Sequence, residues 1–326
     1  MDQFLSCDWG TSSFRLRLIA LPSLEILTEE KSNQGIAHAY NLWKAADVDD
    51  PQQRLSFYLN LVLPHIEQIE KKAGVKLKGV PLVFSGMASS SIGMMNLPYG
   101  ELPFPVSGEG LHTSFFDKTK GFEHPVLLIS GIKTANDVMR GEETQLIGVL
   151  QDLGGSVGKR VFVLPGTHSK HILVEDGQVT DFKTYMTGEY FDLLSKKSIL
   201  SASVEEPGTN EHRLNENAFS EGVKNGAQTN LLTAGFWVRT NELFDKMTKK
   251  ENHDYLSGLL IGSELNELRS QAYDSIYLCC GSNLKTRYEE ALRVLDIKGV
   301  HVFSGETMDE AVVRGQFQIY KQIQKR

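Results

Sequence analysis

Phe4-Leu5-Ser6-Cys7-Asp8-Trp9-Gly10-Thr11-Ser12-Ser13-Phe14-Arg15-Leu16-Arg17-Leu18-Ile19 is the stretch on which the fold turns. Apolar residues run into one aspartate, small hydrogen-bonding residues follow around Gly10, and alternation resumes at Phe14, Leu16 and Leu18. That pattern predicts a β-hairpin with Asp8 at its tip. Such a turn presents backbone N–H groups and hydroxyls to an anion, and a carboxylate beside them suits a divalent cation that neutralises the same anion. On this reading Gly10, Thr11, Ser12 and Ser13 cradle a phosphate and Asp8 takes the metal. Ordinary hairpin turns use the same residue types, so one copy does not decide the chemistry.

A second copy does more. Val161-Phe162-Val163-Leu164-Pro165-Gly166-Thr167-His168-Ser169-Lys170-His171-Ile172-Leu173-Val174 repeats the apolar strand, the Gly-Thr-x-Ser turn and the alternating outgoing strand. Gly10, Thr11 and Ser13 fall in step with Gly166, Thr167 and Ser169. A further strand follows each hairpin, over Leu24–Ser32 and Val179–Met186, the second after an Asp176-Gly177 hairpin signal. Two similar halves predict a nucleotide clamped between two domains, with Gly166, Thr167, His168, Ser169 and Lys170 around its phosphates. The Gly- and Ser-rich run Gly154–Gly158 is the best linker, which places domains at 1–155 and 156–326.

With 326 residues the chain is long enough for two substantial cores. A net charge of −7 argues against nucleic acid as a main partner, because that affinity rests on Lys and Arg meeting phosphates. No apolar run reaches the length of a membrane span, and Met1-Asp2-Gln3 lacks the basic start of a secretory signal, so a cytoplasmic enzyme of small metabolites is expected. Cys7, Cys279 and Cys280 lie in apolar runs and read as core residues of a reducing compartment. A homodimer stays open.

Between the hairpins, a helix from Asp50-Pro51 to about Gly74 carries an apolar stripe, with Pro64 expected to kink or split it. The strand Val80–Phe84 runs into Ser85-Gly86-Met87-Ala88-Ser89, and ligands of α/β sheets collect at such strand ends. The stretch Pro98–Gly110 reads as an ordered substrate lip. After a strand Pro125–Ile129, a helix over about Asn136–Leu153 would align Met139, Glu142, Leu146, Val149 and Leu153. Glu142 then points inward near the helix start, where partial burial suits a general base, although a carboxylate there also simply complements the helix dipole. Thr187 reads as an N-cap. Helices are expected over Ala218–Asn241 and Asp254–Ala272, the latter with Gly258 and Gly262 for close helix packing, and Ser275–Cys280 ends in Gly281-Ser282-Asn283, which lets backbone approach a flat ring.

These features, in this order, resemble the superfamily of actin, the heat-shock chaperone ATPases and the sugar kinases. Within it the chain looks like the 2-dehydro-3-deoxygalactonokinase family, on Asp8-Trp9-Gly10, Met139-Arg140-Gly141-Glu142-Glu143-Thr144-Gln145-Leu146-Ile147-Gly148, Pro165-Gly166-Thr167-His168-x-Lys170, Asp181-Phe182-x-Thr184-x-Met186-Thr187-Gly188-Glu189 and Ser257–Gly262. The resemblance implies two ribonuclease-H-like α/β domains with mixed sheets flanking a nucleotide cleft. It also implies ATP- and Mg²⁺-dependent phosphorylation of the 6-hydroxyl of 2-dehydro-3-deoxy-D-galactonate in galactonate breakdown. Asp8 is then the metal residue, Gly281 and Ser282 the adenosine motif, and Gly86, Met87, Ala88 and Ser89 line the sugar acid with Arg140. Glu142 ranks first and Asp137 second as the base, Asp137 lying where related kinases often carry theirs. Two other readings stay open: a kinase for another sugar or sugar acid, and an actin-like or chaperone-like ATP switch.

Overall fold

A computed structural model describes residues 2–46, 50–118, 121–153, 157–206, 208 and 214–324, and only the backbone at 51, 52, 152, 282 and 283. The chain divides into two compact units, Met1–Val157 with Gly177–Asp181 and Glu306–Arg326, and Gly158–Asp176 with Phe182–Gly305. The expected linker residues Gly154, Gly155 and Ser156 lie outside the described residues. The C-terminal helix, placed with the second domain from sequence, belongs to the first unit. No helix among the described residues is long and apolar enough to cross a membrane.

The first unit is built on a six-stranded mixed sheet of order β3-β2-β1-β4-β8-β7. Its strands are β1 (Gln3–Trp9), β2 (Phe14–Ala20), β3 (Ile26–Ser32), β4 (Leu82–Gly86), β7 (Thr113–Phe116) and β8 (Val126–Ile129). Side chains alternate across a strand, so Leu5, Cys7 and Trp9 face one way and Phe4, Ser6 and Asp8 the other. The first set packs with Tyr58, Leu59, Val62, Ile66 and Ile69 of α2 (Pro51–Ala73), which follows α1 (Ile36–Ala45). On the other face Phe4 stacks on Phe317 of the C-terminal helix Gly305–Gln324, ring centroids 5.9 Å apart. Gln316 of that helix donates to the Cys7 carbonyl and to Ser85 Oγ, at 2.9 and 2.8 Å. Burial on both faces explains why apolar residues occupy both, Phe4 on one and Leu5, Cys7 and Trp9 on the other. Pro64 is accommodated inside one uninterrupted helix, α2.

The lip region is partly regular. β5 (Gly100–Glu101) joins β9 (Ile132–Lys133) and β10 (Val138–Met139) in a three-stranded sheet, and β6 (Phe104–Pro105) pairs with Gln178–Val179. Then α3 (Glu142–Leu153) closes this part of the chain.

In the second unit β11 (Lys159–Leu164), β12 (Ser169–Glu175), the Phe182–Tyr185 end of β13 (Gln178–Tyr185), β14 (Ser275–Leu278) and β15 (Val300–Val302) form a mixed sheet of order β15-β14-β11-β12-β13. Its helices are α4 (Thr187–Lys197), α5 (Glu216–Gln228), α6 (Leu231–Leu243), α7 (Lys249–Leu265) and α8 (Ser282–Val294). The single helix expected over Ala218–Asn241 is two, since Asn230 caps the start of α6 with its side chain on the Leu232 amide. The glycine stripe of α7 performs as its spacing suggests. A Cβ on Gly258 or Gly262 would lie 2.2 or 2.3 Å from the carbonyls of Phe219 and Val223 on α5, so only glycine lets the two helices meet.

Candidate active site

The parallel pairing of β1 with β4 sets Asp8 opposite Ser85 and Trp9 opposite Gly86. A Cβ on Gly86, which has φ +80°, would stand 3.3 Å from Asp8 Oδ1, and one on Gly141 would stand 3.3 Å from Gly86 Cα. Asp8, the end of β4 and the start of α3 therefore share one place in the first unit. Three carboxyl groups gather there. Burial raises the Asp8 pKa, Arg15 and Arg17 pull it back, and the charge of Glu142 adds to the rise. Burial and then Glu142 push Glu143 up to about 7, against the pull of backbone N–H groups and the Thr144 hydroxyl.

The turn that carries these acids is tightly specified. Glu142 Oε2 accepts from the Arg140 amide at 3.1 Å, and Glu143 accepts from the Gly141 amide with both oxygens, at 3.0 and 2.7 Å. Arg140 is buried, with Nη1 donating to Ser89 Oγ at 2.7 Å, Nη2 to the Leu97 carbonyl at 3.3 Å, and its guanidinium 4.2 Å from the centre of the Tyr99 ring. Its Nε has no hydrogen-bond partner among the described residues. An arginine held this way is a fixed cation with donor capacity to spare, unlike a solvated one.

The helix expected from Asn136 starts instead at Glu142. Residues 132–139 form a hairpin whose turn is closed by the Thr134 amide on the Asp137 carbonyl, 2.9 Å, and Asp137 Oδ1 accepts from the Val138 amide at 2.7 Å. Asp137 therefore lies in a β-turn rather than one helical turn before Glu142, and Met139 is on a strand. Within the expected sugar-acid segment Gly86, Ala88 and Ser89 are buried and Met87 is half-buried in a short 3₁₀ turn, with Ser89 Oγ donating to the Ile129 carbonyl at 2.5 Å. Ser89 thus acts as a strut for Arg140.

Both Gly-Thr turns have the same bracing. In the first, Thr11, Ser12 and Ser13 are exposed, Gly10 N donates to the Ser13 carbonyl at 2.9 Å, and the first amides of α1, Ile36 and Ala37, donate to the carbonyls of Gly10 and Thr11 at 2.9 and 3.1 Å. In the second, Glu189 N in the first turn of α4 donates to the Thr167 carbonyl at 3.1 Å. Gly35 and Gly188 make these approaches fit, since a Cβ would lie 2.2 Å from the Thr11 carbonyl and 2.7 Å from the Gly166 carbonyl. With their carbonyls tied back, the turns present amides and hydroxyls outward.

The second turn departs from the expected cradle in detail. Thr167 and His168 are exposed, and His168 Nε2 contacts Glu189 Oε2 at 2.5 Å. Ser169 and Lys170 are buried, Lys170 Nζ donating to the His168 carbonyl at 3.2 Å. Thr187 is the first residue of α4 rather than its cap, and its hydroxyl donates to Glu264. Beside Gly166 and Thr167 lies a cavity of about 270 Å³, walled by Phe191, Leu260, Ile261 and Leu284 and edged by Arg287 and His253. Gly281 precedes α8, and the Ser282 side chain lies outside the described residues. Of the residues not singled out from sequence, Glu143, Tyr99 and Arg287 matter most. Glu143 was detectable from its spacing to Leu146 and Ile147, at i+3 and i+4, whereas the roles of Tyr99 and Arg287 depend on tertiary contacts.

Among the described residues no group of three or more His, Cys, Asp or Glu side chains could hold a metal ion. Asp8 still suits Mg²⁺, which commonly uses one or two carboxylates together with waters and substrate phosphates. A cation there would relieve the charge that burial and Glu142 disfavour.

Comparisons with known proteins show which family the chain resembles. A 2-dehydro-3-deoxygalactonokinase of Escherichia coli (strain K12) is 33% identical over 72% of this chain and 77% of its own. A protein of Rhizobium meliloti (strain 1021) assigned the same activity, DgoK1, is 31% identical over 96% of this chain and 94% of its own. A Sinorhizobium meliloti crystal structure under the same assignment matches at 27% identity with a TM-score of 0.80, covering 98% of this chain and 96% of that one. The activator of the 2-hydroxyisocaproyl-CoA dehydratase from Clostridium difficile, with bound ADPNP, shares the fold at TM-score 0.50 and 12% identity over 99% of this chain and 97% of that one. With the 2-keto-3-deoxy-galactonokinase family profile matched over residues 8–319, this chain belongs to that kinase family.

Proposed function

We propose that the chain transfers the γ-phosphoryl group of ATP to the 6-hydroxyl of 2-dehydro-3-deoxy-D-galactonate, giving the 6-phosphate and ADP in galactonate catabolism. The observation that supports this most is the junction of Asp8, Gly86, Gly141 and Glu142 in the first unit, where two glycines let the end of β4 and the start of α3 pack closely and bring the Asp8 and Glu142 carboxyl groups within electrostatic reach of each other. Phosphoryl transfer asks a protein mainly for positioning and charge neutralisation. Asp8 holds Mg²⁺, directly or through water, and the metal supplies charge neutralisation on the phosphates. The outward amides and hydroxyls of Thr11, Ser12, Ser13 and Thr167 bind phosphate oxygens, and the cavity beside Gly166 takes the nucleoside, with Gly281 at its helix start. Arg140, fixed by Ser89 and Tyr99 and with Nε unpartnered, pairs with the sugar-acid carboxylate.

Glu142 accepts the proton of the attacking hydroxyl. Its carboxylate is anchored on the Arg140 amide, at the start of a helix rather than in a mobile loop. Asp137 stays second, since its carboxylate is engaged with the adjacent Val138 amide in a β-turn. The proposed compartment is the cytoplasm, where the free thiols of Cys7, Cys279 and Cys280 stay reduced. Following ADP release with a panel of sugars and sugar acids tests the assignment. Turnover should require the 2-dehydro-3-deoxy sugar acid, and equal turnover with neutral hexoses would refute it.

A further inference from the structure

The second Gly-Thr turn is connected to a buried carboxylate that no step of the reaction uses. Glu264 on α7 is 3% exposed. Its Oε2 accepts from the Tyr288 hydroxyl on α8 at 2.8 Å and from the Thr187 hydroxyl on α4 at 2.5 Å, and its Oε1 accepts from His171 Nε2 on β12 at 3.0 Å. Three elements thus converge on one carboxylate. The Tyr288 oxygen also lies 3.0 Å from Ser169 Oγ, which in turn lies 3.3 Å from the Gly166 amide nitrogen.

Proton counting gives this chain a direction. A phenol has one proton, and Tyr288 spends it on Glu264, so its oxygen must accept from Ser169. Ser169, having donated its own proton to Tyr288, receives the Gly166 N–H. The order is therefore Gly166 N–H to Ser169, Ser169 to Tyr288, Tyr288 to Glu264. A second route runs from Glu264 through Thr187, the first residue of α4, to Glu189, whose amide holds the Thr167 carbonyl at 3.1 Å. Gly166 is thus fixed from one side and Thr167 from the other.

We infer that Glu264 is a positioning residue for the nucleotide, holding the Gly166-Thr167 turn in its binding shape through Tyr288 and Ser169 and through Thr187. Glu264 does not line the cavity beside the turn, so its influence passes through these partners. Because one acceptor orders the whole chain, a change at Glu264 affects every link. A glutamine there brings its own donors into a space that already receives three, so at least one of the three must give up its acceptor or reverse, and the shared anchor of the chain is disturbed.

The inference rests on reading this turn as a phosphate contact, so the test uses direct ATP binding as well as turnover. E264Q and S169A should each weaken the Kd for ATP about tenfold while leaving the KM for the sugar acid within about twofold. The double variant should be no weaker than the more affected single one, because both break the same chain. Multiplied effects, or an E264Q protein that loses thermal stability with ATP binding unchanged, would overturn the inference. Should E264Q fail to fold, the cycle of Y288F with S169A asks the same question, with non-additivity expected and additivity contradicting it. A wild-type protein that binds ATP but phosphorylates no sugar acid would refute the proposed function and leave this inference testable.

Discussion

Glu143 makes a sharp prediction because its cost can be worked out. The carboxyl is 1% exposed and its pKa is pushed up from an ordinary 4.5 to about 7 by burial and by Glu142. A raised carboxyl pKa means that the folded state binds the proton more tightly than the unfolded state. Its contribution to stability is present below pH 4.5 and is lost as pH rises through 7. At about 1.4 kcal/mol per pH unit the full loss is about 3 kcal/mol, most of it between pH 5 and pH 8. Glu143→Gln cannot ionise. Its amide oxygen can still accept from the Gly141 amide, and its NH₂ can donate to the Thr144 oxygen. Urea denaturation of both proteins at pH 5 and pH 8 should therefore show the stability difference shifting by roughly 2 to 3 kcal/mol in favour of the variant at the higher pH. Shifts from other titrating groups largely cancel in that difference. A difference unchanged between the two pH values would refute the reasoning and mean that Glu143 ionises with an ordinary pKa.

Three further predictions concern the chemistry. Asp8→Asn should abolish Mg²⁺-dependent turnover while leaving the fold and much nucleotide binding intact, checked by activity and circular dichroism; near-normal activity would make Asp8 a turn residue only. Glu142→Gln should lower kcat by about a hundredfold to ten-thousandfold with modest change in substrate KM, and Asp137→Asn should do far less; steady-state kinetics showing the reverse would move the base to the β9–β10 turn. Arg140→Gln should raise the KM for the sugar acid about ten- to a hundredfold, the loss expected for a charged hydrogen bond, with the KM for ATP little changed.

Much of the fold was legible because it rests on short-range patterns. Alternation around Gly10 and Gly166 marks both hairpins, and the glycines of α7 mark a close helix contact whose partner, α5, only the structure identifies. The start of α3 was misread for a physical reason. Met139 sits three residues before Glu142, a helical spacing, yet Gly141 adopts φ +116°, and the two-residue strands β9 and β10 leave too little alternation to register. A helix begun at Asn136 sets Glu142 in the apolar seam, whereas in α3 it is Glu143 that is buried on one face with Leu146 and Ile147. Ser169 shows the opposite failure. In the repeat it matches the exposed Ser13, but the second turn draws it inward to Tyr288, a partner more than a hundred residues away in sequence. The bracing of both turns by α1 and α4 was present in the chain as Gly35 and Gly188, but no local pattern ties a glycine to a carbonyl it must approach.

The central claim is that this chain phosphorylates the 6-hydroxyl of 2-dehydro-3-deoxy-D-galactonate at the expense of ATP. Incubating the purified protein with ATP, Mg²⁺ and that sugar acid, and following the products by phosphorus NMR, tests it most directly. The account predicts a new phosphomonoester at carbon 6 in equal amount to ADP, and neither product when the sugar acid is left out. ADP and inorganic phosphate formed alike with and without the sugar acid, with no phosphomonoester, would contradict it.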